Sequence, residues 1–240
     1  MTAGRRVWLT PAYVLHHHAY RETSRIVEAF TADHGRLSLF ARGAAGPKAR
    51  LAPLLRPFQR LLLSWSGRGE ACRLVDAELD GPAPLLPPRR LMSGFYLNEL
   101  LLKLTVRGDP NPGIFESYAE TLHALAGDGE EEAALRRFEK RLLGELGYGL
   151  QLTHTGEGRP IEPTMYYRFQ PDRGPEACVA DAPGAVYGGS LAALAADAPL
   201  DPRSLRDAKR VLRAALDACL DGRALATRRI MAGLRPRERG

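Results

Sequence analysis

The chain is poor in the residues that cross-link proteins. It holds three cysteines, Cys72, Cys178 and Cys219, spread far apart. An odd, scattered set argues against a disulfide framework and is expected of a reducing cytoplasm. No run of about 18 apolar residues occurs, so no membrane span is expected. The opening stretch MTAGRRVWLTPAY lacks the apolar segment of a secretory signal. Catalytic patterns are missing as well. Gly43-Ala44-Ala45-Gly46-Pro47-Lys48 has the wrong glycine spacing for a phosphate-binding loop, and no Ser or Thr follows Lys48. There is no nucleophile elbow, no zincin helix and no dinucleotide fingerprint. Neither enzymatic activity nor a cofactor is expected.

His16-His17-His18 is the one histidine cluster. On a strand His16 and His18 share a face. No Cys or carboxylate in the sequence completes an obvious set of three or four ligands, so no metal site is assigned there.

What the chain has is arginine, unevenly distributed. Residues 1–68 carry a net charge of +8, residues 69–202 a net of −9, and residues 203–240 a net of +7. Basic segments favour polyanions through phosphate contacts and counterion release. The plain alternative is a solvated arginine-rich surface.

Residues 1–80 read as all-β. Candidate strands are Ala12–His17, Ser24–Thr31, Arg36–Arg42, Leu54–Trp65 and Glu70–Glu78, separated by Gly- or Pro-marked breaks. Five short strands in about 80 residues predict a small barrel, OB-fold or SH3-like. Gly81-Pro82-Ala83-Pro84 and Pro87-Pro88 then form a stiff linker. Residues 81–240 read as a mainly helical domain. Helical spacing runs through Leu91–Leu104, Phe115–Leu125 and the segment from Glu130 to Leu146. Residues 150–188 form an irregular insertion with short strands at Thr164–Phe169 and Glu176–Ala180. Asp201-Pro202 is a helix start, as N-cap and N1, and the helix runs to about Leu220. Leu225–Leu234 is the last helix. The fold class is therefore α+β: an N-terminal barrel followed by a helical domain.

The sharpest functional candidate is the third strand. Leu37, Leu39 and Ala41 point one way and suit a core. Arg36, Ser38, Phe40 and Arg42 point the other way, placing an aromatic ring between two guanidinium groups. Arginine binds phosphate and an aromatic face stacks on bases. Lys48 and Arg50 follow in the next loop, and Arg5 and Arg6 add to the same field. A second cluster lies at Arg136, Arg137, Lys140 and Arg141, where cations border the apolar stripe Leu135, Phe138, Leu142 and Leu146. An apolar site with a cationic rim suits an acidic-aromatic peptide, although a solvated helix face explains the same residues. Arg206, Arg210 and Arg213 make a further basic stripe.

Ordered pieces of the chain resemble one family. Val14-Leu15-His16, Glu22-Thr23-Ser24, Phe30-Thr31, Gly35-Arg36, Ala41-Arg42-Gly43-Ala44 and Leu55-Arg56-Pro57-Phe58 are similar to the N-terminal signature of the RecO family of DNA repair and recombination mediators. Gly94 to Leu100, Ala134 to Glu139, Leu143 to Gly149, Ala208-Lys209-Arg210 and Arg228-Arg229 resemble its helices. The resemblance implies an OB-fold and a helical C-terminal domain. It implies binding of single- and double-stranded DNA, annealing of strands coated with single-strand-binding protein, and work with RecR to load RecA. In some members the helical domain receives the C-terminal tail of single-strand-binding protein, which marks Arg136, Arg137 and Lys140 as tail contacts. Many members carry four cysteines in the insertion. Here residues 149–191 hold only Cys178, so a zinc-free insertion is expected, packed by Met165, Tyr166, Tyr167, Phe169 and Tyr187. A rival reading is a protein–protein adaptor whose barrel touches DNA only incidentally. A third, a nuclease, lacks the carboxylate or His cluster it would need.

Overall fold

A computed structural model describes residues 6–45, 49–67, 72–82 and 84–234. The chain divides into two compact units.

The first unit, residues 1–127 and 225–240, is built on five strands: β1 (Arg6–Tyr20), β2 (Ser24–Thr31), β3 (Gly35–Ala41), β4 (Arg60–Ser66) and β5 (Cys72–Leu79). They close into a barrel in the order β1-β2-β3-β5-β4. This is the OB-type barrel expected from the sequence. β1 is far longer than Ala12–His17 because it serves two neighbours. Its first half pairs with β4 and its second half with β2, and the doubled strand closes the barrel. β4 starts later than expected, because Leu51–Leu54 is held in a turn and Leu55 plugs the barrel. Alternation works as the pleat requires. Val14, Val27, Leu39, Ala41, Leu61, Leu63 and Leu74 fill the interior.

Gly35 closes the β2–β3 turn at φ +61°. A Cβ there would also collide with the Asp109 carbonyl, so glycine is required by conformation and by space.

Three helices join the barrel: α1 (Leu91–Leu104), α2 (Pro112–Ala126) and, from the far end of the chain, α6 (Ala226–Leu234). Polar groups fix them. The Asn98 amide donates to the Leu15 carbonyl at 2.8 Å, and the Tyr118 hydroxyl donates to Asn98 Oδ1 at 2.6 Å. Buried Arg90 donates to the Leu125 and Gly127 carbonyls at the end of α2, where a cation complements the helix dipole. Glu99 accepts from the first backbone N–H groups of α6, at 2.8 Å from Ala226 and 2.9 Å from Thr227.

The second unit, residues 128–224, holds α3 (Glu131–Glu145), β6 (Tyr166–Gln170), β7 (Gly174–Cys178), β8 (Ala185–Tyr187), α4 (Gly188–Ala195) and α5 (Pro202–Leu220). Phe138, Leu142, Val211, Leu212 and Leu216 are fully buried between these elements. The Asp201 carboxylate caps α5 by accepting from the Ser204 N–H at 2.6 Å, with Pro202 in the first turn. The insertion is more regular than expected, since β7-β6-β8 form a three-stranded antiparallel sheet. α4 was not expected: GGSLAALA opens with two glycines and is short for a periodic signal. Tyr167 and Val186 anchor the sheet, whereas Met165 is 43% exposed rather than packed. Among the described residues no three His, Cys, Asp or Glu side chains gather as metal ligands.

Candidate nucleic-acid interface

The barrel's outer surface is set by register. Ile26 on β2 pairs with Phe40 on β3, and Phe40 pairs with Arg73 on β5. Directly paired residues point to the same side of a sheet. Ile26, Phe40 and Arg73 therefore form one outward row. Arg42 follows Phe40 by two positions and is exposed, as is Arg73. Neither has an ion-pair partner among the described residues.

The β1–β2 turn completes the cluster. The Tyr20 ring meets Phe40 edge-on, with centroids 5.6 Å apart. The Arg21 guanidinium lies 5.3 Å from the Tyr20 centroid, within cation–π range. Arg21 has φ +55°, which turns the chain sharply before Ser24. Two aromatic rings and the cations of Arg21, Arg42 and Arg73 thus share one outward region. In OB-folds the face of strands 2 and 3, with the adjoining loops, takes oligonucleotides.

The expected face differs at Arg36. Its side chain is only 13% exposed and lies 3.1 Å from Glu28 Oε2. A second guanidinium nitrogen donates to the Thr105 carbonyl at 3.0 Å. Arg107 lies 2.6 Å from the other Glu28 oxygen. Glu28 thus sits between two guanidinium groups and ties β2 and β3 to the segment after α1. Sequence alternation places Arg36 on the outer side, but it does not reveal that residues 105–108 cover that end. Arg50 is exposed and pairs with Asp76 at 2.8 Å. Lys48 and Arg5 lie outside the described residues. Arg73 was missed by sequence reasoning. Its signal, an arginine in the outward phase of β5, is visible only once the β3–β5 pairing is known.

The His16–His18 rings stand on exposed or half-buried positions of β1. Partial burial, then Arg25 and the flanking histidines, push His17 below its ordinary range.

In the second unit, the α3 cluster separates into three roles. Arg136 is buried and paired with Glu139 at 2.8 Å. Lys140 donates to the Leu194 and Ala195 carbonyls at 2.7 and 2.9 Å, at the end of α4, and pairs with Asp197 at 2.8 Å. Arg137 is exposed at the rim of a cavity of about 470 Å³. Arg136, Ala193, Leu194, Pro199 and Leu200 also line it. Of the basic stripe on α5, Arg210 pairs with Asp207 at 3.9 Å and Arg213 with Asp217 at 3.8 Å. Arg203 opens the same helix. It lies 4.0 Å from the Tyr187 ring centroid and donates to the Tyr166 hydroxyl at 3.0 Å.

Comparison with known proteins bears on both units. Residues 5–81 match the family described as Recombination protein O N terminal, and residues 87–229 match Recombination protein O C terminal. The chain belongs to the RecO family. A protein of Nitrosococcus oceani named DNA repair protein RecO is 45% identical over 233 residues, covering 96% of this chain and 95% of its own. One of the same name from Dechloromonas aromatica is 44% identical over 236 residues, covering 96% and 97%. Another from Coxiella burnetii is 42% identical over 229 residues, covering 95% and 99%. The family boundary near residue 81 falls between β5 and α1, whereas packing groups α1, α2 and α6 with the barrel.

Proposed function

We propose that this chain is a non-catalytic DNA repair and recombination mediator. Its barrel binds single- and double-stranded DNA through the face carrying Tyr20, Arg21, Phe40, Arg42 and Arg73. The observation that carries the reading is the grouping of Phe40 with exposed arginines that have no acidic partner among the described residues. Guanidinium groups neutralise phosphates while rings stack on bases. Arg50, exposed and paired with Asp76, stands in the loop after β3, and Arg36 holds β3 to β2 and to the segment after α1.

Annealing follows from this chemistry. Two strands repel through their phosphates, and a basic surface that holds both lowers the repulsion without nucleotide hydrolysis. In the cytoplasm the chain would act on DNA coated by single-strand-binding protein, and with RecR would help load RecA. Arg137, at the rim of the cavity on α3, is the contact for the acidic tail of single-strand-binding protein; Arg136 lines the cavity beside it, and Lys140 ties α3 to the end of α4, whose Leu194 lines it too.

The test is annealing of complementary oligonucleotides precoated with single-strand-binding protein. Acceleration is expected with the wild-type chain. Arg42→Ala/Arg73→Ala should reduce it strongly, and Arg137→Ala should reduce it only when the strands are coated. No acceleration by the folded wild-type chain would overturn the reading.

A further inference from the structure

The barrel carries a second outward feature, away from Phe40 along the same ladder. Between Val7 and Thr10 the register of β1 against β4 shifts, so β1 holds one extra residue. Leu9 there takes φ +48°, a left-handed conformation that is strained for a residue other than glycine. Its N–H donates to Ser64 Oγ at 3.0 Å, which secures the bulge. On the other side of β4, the register against β5 also shifts between Ser64 and Trp65, leaving Val75 unpaired. Both bulges flank Ser64. Both turn large apolar side chains outward: Trp8 is 58% exposed, Leu9 49% and Val75 43%. Bulges commonly re-aim side chains next to functional sites.

The flanking charges identify the occupant. Arg6 on β1 and Arg73 on β5 are both register partners of Ser66 on β4. They stand on either side of it, about 10 Å apart at the usual strand spacing. Both are exposed, and neither has an ion-pair partner among the described residues. Trp8 follows Arg6 by two positions, about 7 Å along the strand. Arg73 is also the neighbour of Phe40. The row Phe40, Arg73, Ser66, Arg6 therefore carries one ring and two cations, and Trp8 stands two positions beyond Arg6 on β1.

We propose that Trp8 is a second base-stacking residue. It extends the path of a single strand from Phe40, past Arg73 and Arg6, onto the bulge of β1. This rests on the nucleic-acid reading above. An indole face stacks on an unpaired base, whereas bases in a duplex are already stacked on their neighbours. Trp8 therefore makes the surface favour single strands over duplexes.

The chain has two tryptophans, and the other, Trp65, is buried. In Trp65→Phe, all indole emission comes from Trp8. Full-length protein is titrated with a labelled single-stranded thymidine oligonucleotide at low salt, following label anisotropy and indole emission together. If Trp65→Phe does not fold, the emission difference between wild type and Trp8→Phe gives the same readout. Quenching of Trp8 at the anisotropy midpoint is expected. Trp8→Ala should weaken single-strand binding about tenfold, in line with stacking on one base, and should change duplex binding far less. Anisotropy that rises while Trp8 emission stays constant would overturn the proposal and leave DNA binding by the Phe40 face standing. No anisotropy change would sink both. A change in Trp8 emission with protein concentration alone would mean that a second copy covers the bulge, and would also overturn it.

Discussion

Phe40 on β3 and Arg73 on β5 are register partners across a parallel strand pair, so their side chains leave the barrel side by side. A ring supplies stacking and its neighbour supplies charge. Phe40→Ala should weaken single-strand binding by about 1–3 kcal/mol. Arg73→Ala should weaken binding to all sequences alike and lower the slope of log affinity against log salt by about 0.7 for single strands. Both effects are measured by anisotropy across a salt series.

Arg36 behaves differently, because Glu28 holds it. Arg36→Ala leaves Glu28 with Arg107 alone, and Glu28→Ala leaves two guanidinium groups without their carboxylate. Removing one partner of a buried pair costs about 3–5 kcal/mol. Urea unfolding should show a marked loss for Glu28→Ala and a smaller one for Arg36→Ala. DNA affinity per folded molecule should change little in Arg36→Ala. A large affinity loss with unchanged stability would place Arg36 on the binding surface.

Gly35→Ala meets two obstacles, a left-handed backbone and the Asp109 carbonyl. Strain and overpacking together should cost at least about 2 kcal/mol. Thermal unfolding measures it. Gly43, also left-handed but with open space around its α-carbon, should tolerate alanine with a smaller loss.

Two buried groups set a pH window. Burial pushes the Tyr118 hydroxyl well above its ordinary value of 10.0, and Tyr13 is raised by burial too. Above that value the unfolded chain loses protons that the folded chain keeps, so stability should fall as pH rises through it. Tyr118→Phe should blunt this alkaline loss while costing about 1–2 kcal/mol at neutral pH through the lost bond to Asn98. Glu99 moves the other way. Burial raises its pKa, but the Thr227 hydroxyl, the α6 N–H groups and Lys103 outweigh this, and the net value lies below 4.5. Its contribution is complete above pH 4.5 and is lost as pH falls through the lowered value. Glu99→Gln should remove that acid dependence, measured by unfolding between pH 3 and 6.

Strands β2 and β3 were legible to within a residue, because β2 is rich in β-branched and aromatic residues, β3 alternates, and Asp33-His34-Gly35 marks the turn. Asp201 and Pro202 likewise announced α5. β1 was not legible at full length: the bulge at Leu9 breaks its alternation, and Pro11 reads as a stop. The site was half legible. Phe40 and Arg42 follow from the phase of one strand. Arg73 needs the β3–β5 pairing, and the burial of Arg36 and Arg136 needs the segments that cover them, which pattern along a single strand or helix does not encode.

The most direct test is a salt titration of single-stranded DNA binding by the wild-type chain and by Arg42→Ala/Arg73→Ala. Wild type should lose affinity steeply with salt, and the double variant should bind more weakly with a slope shallower by about 1.4, two phosphate contacts fewer. Equal affinity and equal slope in a folded double variant would contradict a DNA surface centred on Phe40.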